Sequence, residues 1–286
     1  MSELGDFLKA KRAAITPDQV GLPPIGNPRR VRGLRREEVA QLAALSVDHY
    51  TRLEQGRVTS ASDNVLDGIA RGLRLTEDER SYLRLLAQPP TVRRGTRAVE
   101  RVSPRVLDLL AATTAPALVL GATSDILAWN PQAATLFFDF AEIPAGQRNM
   151  VRLLFLEPRM RALFADWPSV AAEAVARLRM AAVRGGDDPK LATLVGELSL
   201  HDADFRCLWA WHHVRVADAG RKVLRHPLVG DLEVDWQAFV IAAAEGQTLV
   251  TYTAPADSKA HEALRFLDAW SPDPVVGTEK GGVFGG

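Results

Sequence analysis

Val47, Asp48, Thr51 and Arg52 are the residues of this sequence whose types and spacing most directly suggest chemistry. On a helix they share one side, while Tyr50 and Leu53 fall on the other. A guanidinium can fork onto guanine, a carboxylate can accept from a cytosine amino group, and a small apolar group can sit against a thymine methyl. Arg52, Asp48 and Val47 carry those groups, with His49 and Thr51 beside them on the solvent side. Asp48 is repelled by phosphate, so it needs a cytosine or a neighbouring arginine, or else it serves to reject wrong sequences. Arg36 is placed to reach a phosphate, and Arg29, Arg30, Arg32 and Arg35 can add further phosphate contacts or enter a minor groove.

These side chains need elements to position them. Residues 34–56, LRREEVAQLAALSVDHYTRLEQG, contain two short apolar-periodic segments joined through ALS. The first, 36–43, buries Val39, Leu42 and Ala43. The second, 47–55, is N-capped by Ser46 and stopped by Gly56. Helix, three-residue turn and helix give a helix-turn-helix, in which the first helix crosses the DNA backbone and the second enters the major groove. The same spacing also fits a plain helical hairpin whose charges are merely solvated.

Around this pair the spacing predicts a helix over 4–14, then a basic loop holding four prolines and three glycines. Ser62 is placed to cap a helix lined by Val65, Leu66, Ile69 and Leu73, and TEDE at 76–79 has the form of a capping box. Residues 1–88 are thus expected to be one DNA-binding domain and 89–104 a linker. From 105 to 270 the pattern changes to strand-like runs (ALVLG, DILAWN), helical periodicity over 157–184, a helix carrying Phe205, Trp209 and His212, and three consecutive strand candidates. That order suggests an α+β domain with an antiparallel sheet. Residues 271–286 read as a flexible tail.

Bulk properties agree with a two-domain soluble protein. Residues 1–105 hold 19 Lys+Arg against 13 Asp+Glu, and the remainder 16 against 22, so a basic module precedes an acidic one. No apolar run suggests a membrane span, the start has no secretion-signal pattern, and the single Cys207 excludes an internal disulfide framework; a cytoplasmic location is expected. No P-loop, glycine-rich dinucleotide turn or HExxH pattern is present, and the adjacent His212 and His213 lack a supporting carboxylate at metal spacing. The reading is of a non-enzyme without a cofactor or metal.

GLRREEVAQLAALSVDHYTRLEQGR resembles the core of the Cro/C1-type (xenobiotic-response-element) helix-turn-helix family, closing in Leu53, Glu54 and Gly56. Residues 4–88 would be its five-helix domain. The second half resembles the ligand-binding domain of MmyB-like transcription regulators. The matching stretches are DILAWN at 125–130, RNMVRLLFLEPRMRALFADW at 148–167, FRCLWAWHHV at 205–214, HPLVGDLEV at 226–234 and TLVTYTAP at 248–255; Trp211 and His213 depart from the pattern. The resemblance implies a PAS-like sensor in which helices pack on a five-stranded antiparallel sheet around a cavity. The reading of the whole chain is of a homodimer on an operator in double-stranded DNA.

A small hydrophobic, fatty-acid-like ligand fits that cavity and the residues available to it. Trp129, Phe155 and Trp209 would supply apolar lining, and Asn130, Arg148, Asn149, Arg152 and His212 orienting polar groups, with a carboxylate held by Arg148 or Arg152. Each has a structural counterpart: aromatic core, helix cap or brace, satisfied histidine. The competing function is a DNA-binding protein whose PAS-like domain serves only dimerisation or protein–protein interaction.

Overall fold

The structure is a computed structural model that describes residues 2–22, 32–58, 60–88, 100–185, 188–211, 217–269 and 277–278. These fall into two compact units. One holds the residues up to 88 together with those described within 179–188 and 207–216; the other holds the rest.

The first unit is built on α1 (Glu3–Ala14), α2 (Arg36–Leu42), α3 (Val47–Glu54), α4 (Asp63–Gly72) and α5 (Glu77–Ala87). Each starts where a local signal places it. Ser2 and Ser46 accept from backbone N–H groups of the first turns of α1 and α3. Thr76 and Glu79 form both halves of the capping box. Ser62 precedes α4 but makes no side-chain cap bond. One core contains Phe7, Leu8, Leu34, Val39, Tyr50, Leu53, Leu66, Ile69, Leu73, Tyr82 and Leu83, with Met180 and Val183 joining it. The apolar stripes expected of the five helices therefore converge, and burial of these side chains supplies the main stabilisation at roughly 25 cal/mol per Å² of apolar surface.

The second unit contains α6 (Pro104–Ala112), β1 (Ala117–Leu120), β2 (Ile126–Trp129), α7 (Pro131–Leu136), α8 (Met150–Leu156), α9 (Pro158–Leu163), most of α10 (Trp167–Gly185), α11 (Pro189–His201), the start of α12 (Ala203–Ala210), β3 (Ala219–His226), β4 (Gly230–Val240), β5 (Thr248–Thr253), α13 (Lys259–Ala269) and the short β6 (Gly277–Thr278). The sheet runs β3-β4-β5-β1-β2-β6 and every described pairing is antiparallel. Five of its strands lie in the stretches expected to be strands; β6 lies within 271–286, the expected flexible tail, and pairs with β2.

Alternation sets two faces. Leu224, Leu232, Val234, Trp236, Val250, Tyr252 and Leu118 are buried on one. On the other, α6 brings Val106, Leu107 and Leu110 onto Val119, Ala128 and Leu249. The periodicity over 157–184 is interrupted at residues 164–166. There Phe164 bridges to Leu224 and the Ala165 N–H donates to the Val223 carbonyl at 2.9 Å, so a backbone segment that helical spacing assigns to one helix instead pairs with the free edge of β3. The helix expected around 198–212 is likewise two, α11 and α12. Among the described residues no helix is long and apolar enough to cross a membrane.

Candidate nucleic-acid interface and ligand site

The turn between α2 and α3 is tight because Ala44 adopts a φ of 55°, in the left-handed region, and because the Ser46 hydroxyl then accepts from the His49 N–H at 3.2 Å. That geometry turns Val47, 48% exposed, together with Asp48 and Arg52 toward solvent, leaves His49 and Thr51 half-buried beside them, and buries Tyr50 and Leu53. Arg32 is exposed in the chain leading to α2. Arg29 and Arg30 lie outside the described residues.

Arg36 and Arg35 take positions that spacing alone does not reveal. Arg36 Nε donates to Glu54 Oε1 at 2.9 Å, while Arg12 donates through Nε and Nη2 to the two oxygens of the same carboxylate at 2.8 and 2.9 Å. Arg12 also donates to the Leu34 carbonyl at 2.8 Å. One buried carboxylate thus ties α1, α2 and α3 together, and Arg12 adds the chain before α2. Burial alone would raise the Glu54 carboxyl, but the two guanidinium groups outweigh it and hold the carboxyl below the ordinary carboxylate range. Arg36 is therefore part of the internal brace, with about half its side chain still exposed. Arg35 is the N-cap residue of α2: its N–H donates to Glu38 Oε2 at 2.6 Å, and its guanidinium reaches Glu37.

In the second unit most of the polar candidates are already engaged. Asn130 is completely buried. Its Oδ1 accepts from the Ala117 and Ala133 N–H groups and its Nδ2 donates to the Thr113 and Ala115 carbonyls, all between 2.8 and 3.0 Å. It caps α7 and joins that helix to β1, which leaves its amide no capacity for a ligand. Asn149 does the same at α8, accepting from the Val151 and Arg152 N–H groups and donating to Thr123 O and Asp125 Oδ1. Arg148 donates to the Ile143 and Ala141 carbonyls, and its guanidinium lies 5.3 Å from the centre of the Trp129 ring. Arg152 is paired with Glu197 at 2.9 Å. Arg148 thus braces the loop before α8, and Arg152 joins α8 to α11.

The aromatic candidates are packed. Trp129 meets Phe140 edge-on at 5.5 Å, and Phe155 meets Trp167 and Phe205 edge-on at 5.4 and 5.2 Å. Trp209 belongs to the first unit, where the Arg179 guanidinium stacks on its ring at 4.3 Å. His212 lies outside the described residues. Among the described candidates of this unit, the structure brings Trp129 against Arg148, and Asn149 onto the N–H groups of Val151 and Arg152.

A different group stands on the inner face of the sheet. Lys222 takes the inward phase of β3 with Leu224 and His226. Its ammonium lies 4.7 Å from the Trp236 ring, 5.8 Å from the Phe164 ring and 3.3 Å from Glu173 of α10. The inward phase of KVLRHP thus holds Lys222, Leu224 and His226. Among the described residues no group of three or more His, Cys, Asp or Glu is arranged to hold a metal.

A helix-turn-helix with an exposed second helix, carried in one chain with a sheet-and-helix module, is the plan of a DNA-binding transcription regulator with a small-molecule domain. Residues 3–83 match the family model of a helix-turn-helix domain, and residues 102–267, more than half the chain, match that of the MmyB-like transcription regulator ligand binding domain. The chain belongs to the MmyB-like transcription regulators. Both matched families are regulatory rather than enzymatic. A search of curated proteins finds no match.

Proposed function

We propose that this regulator recognises its operator through α3, with Val47, Asp48, Thr51 and Arg52 at base edges, and that a small hydrophobic, fatty-acid-like ligand in the domain spanning 105–270 controls that activity. Two copies would place their α3 helices on half-sites about one helical turn, roughly 34 Å, apart. The observation that carries the DNA half is the exposure of Val47, Asp48 and Arg52 on a capped helix whose other side is locked into the core. For the ligand half, the support is the family match and an aromatic layer against the sheet, formed by Trp129, Phe137, Phe140, Phe164 and Tyr252.

Footprinting on the region upstream of the protein's own gene, with and without the small molecules extracted from protein purified from its native host, tests both halves. A discrete footprint whose strength changes with the extract is expected. Uniform binding along all DNA would sink the operator reading, and a footprint indifferent to the extract would favour a module used only for dimerisation or protein contact.

A further inference from the structure

Arg179 is only 1% exposed, and a guanidinium is kept in such a place only where partners hold it. It lies on α10, outside the residues 3–83 matched to a helix-turn-helix domain, yet it belongs to the first unit. Its partners there come from α1 and α12. The guanidinium lies 3.6 Å from Glu3 Oε1, stacks on the Trp209 ring and donates to the Trp209 carbonyl. The same oxygen of Glu3 accepts from the Tyr82 hydroxyl of α5 at 3.0 Å. Burial and the Glu3 charge push that hydroxyl up from its ordinary value, and the Arg179 cation opposes them. Met180 and Val183, on the same turns of α10, enter the core that holds Phe7 and Tyr82.

Glu3 and Tyr82 carry this restraint toward the recognition helix. Glu3 opens α1, and Tyr82 meets Phe7 of α1 edge-on at 5.2 Å. Farther along, α1 supports the last turn of α3 at two points. Gly5 lies directly against the Glu54 carbonyl, and Arg12 forks onto the Glu54 carboxylate. A helix of this length, roughly 18 Å, acts as a stiff bar. Its first turn is gripped by Arg179 and Tyr82, and its side carries α3.

We infer that Arg179 is a positioning residue for operator recognition: through Glu3 and Tyr82 it fixes α1, and through α1 it sets how α3 lies in the groove. The inference rests on the reading of α3 given above. It makes the last turns of α10 a working part of the DNA-reading unit, although they lie within the residues matched to the ligand binding domain.

The test compares full-length wild type, Arg179→Met and Glu3→Gln with Val183→Ala, which opens a cavity in the same core and controls for general destabilisation. Two quantities are measured. One is the ratio of affinities for the footprinted fragment upstream of the gene and for unrelated DNA; the other is amide hydrogen exchange in α1, α3 and α4. Arg179→Met is expected to lower the ratio about tenfold. It should also speed exchange in α1 and the last turn of α3 about tenfold relative to α4. Glu3→Gln should act in the same direction, whereas Val183→Ala should speed exchange evenly and leave the ratio unchanged. An unchanged ratio in Arg179→Met overturns the inference, whether or not exchange rises, since a loosened α1 that reads DNA equally well is structural alone. If Arg179→Met does not fold, Glu3→Gln decides by the same two measurements. Wild type without a preference for the fragment overturns the operator reading and the role of Arg179 in it together. Failure of the inference alone looks different, because wild type and both charge variants then share one preference.

Discussion

Arg12 and Glu54 face each other as a fork on a fork, Nε and Nη2 of the one lying 2.8 and 2.9 Å from the two carboxylate oxygens of the other, although 42 residues separate them in the chain. The pair fixes the last turn of α3 against α1, and Gly5 permits it, because a Cβ there would run into the Glu54 backbone carbonyl.

Glu54→Gln is expected to destabilise the first unit by about 3 kcal/mol or more, since it leaves two guanidinium groups facing an uncharged amide in a buried setting. The pH dependence has a definite sign. The folded Glu54 carboxyl sits below its ordinary value of 4.5, so its contribution is present above that value and is lost as pH falls through the folded one. Urea denaturation at neutral and at acid pH should show wild type losing more stability on acidification than Glu54→Gln does. Equal losses would assign the acid sensitivity to other groups.

Arg52→Ala should cost about 1–3 kcal/mol on the specific operator and leave binding to unrelated DNA almost unchanged, because Arg52 is exposed on the face of α3 proposed to meet bases. Equal weakening on both DNAs, with a flatter salt dependence, would make it a phosphate contact.

Ala44→Gly should stabilise the helix-turn-helix by about 1 kcal/mol, because an alanine at a φ of 55° carries a steric penalty that glycine does not. Gly56→Ala should act in the opposite direction. Gly56 holds a φ of 70°, and its added methyl would also meet Ser2, the cap of α1. Thermal melts of the two variants should therefore move apart.

Asn130→Ala should lower the stability of the second unit by about 2–3 kcal/mol, since it leaves buried donors and acceptors of β1, α7 and the chain before them without their partner. Ligand affinity measured on the folded fraction should not change, and a selective loss of affinity would return Asn130 to the binding site.

The parts of the fold that were legible in the sequence are those written in adjacent residues. Ser46, Gly56 and the Thr76–Glu79 box mark helix ends within a few positions, and the alternation through Leu232, Val234 and Trp236 marks β4. What joins distant positions left no local trace. Glu54 reads as part of a family signature, yet its partners are Arg12 and Arg36, and nothing in the spacing connects the three. The two asparagines show how one residue supports two readings. Asn130 and Asn149 each directly precede a helix, where their side chains cap backbone N–H groups, while their nearness to tryptophan and arginine in the chain equally suits a ligand group, and spacing alone does not choose between the two. The break at residues 164–166 was hidden because periodicity reports which side chains are apolar, not which backbone groups find an edge strand to bond.

The central position of β1 bears on how the chain is made. Its two neighbours are β2, which follows at once, and β5, whose Thr248–Thr253 arrives more than a hundred residues later. During synthesis the β1–β2 hairpin must therefore wait with one side open while the intervening helices emerge, and no shortened product ending before β5 can complete the sheet. A nonsense mutation before the codons of β5 is then expected to yield material for proteolysis rather than a weakened protein.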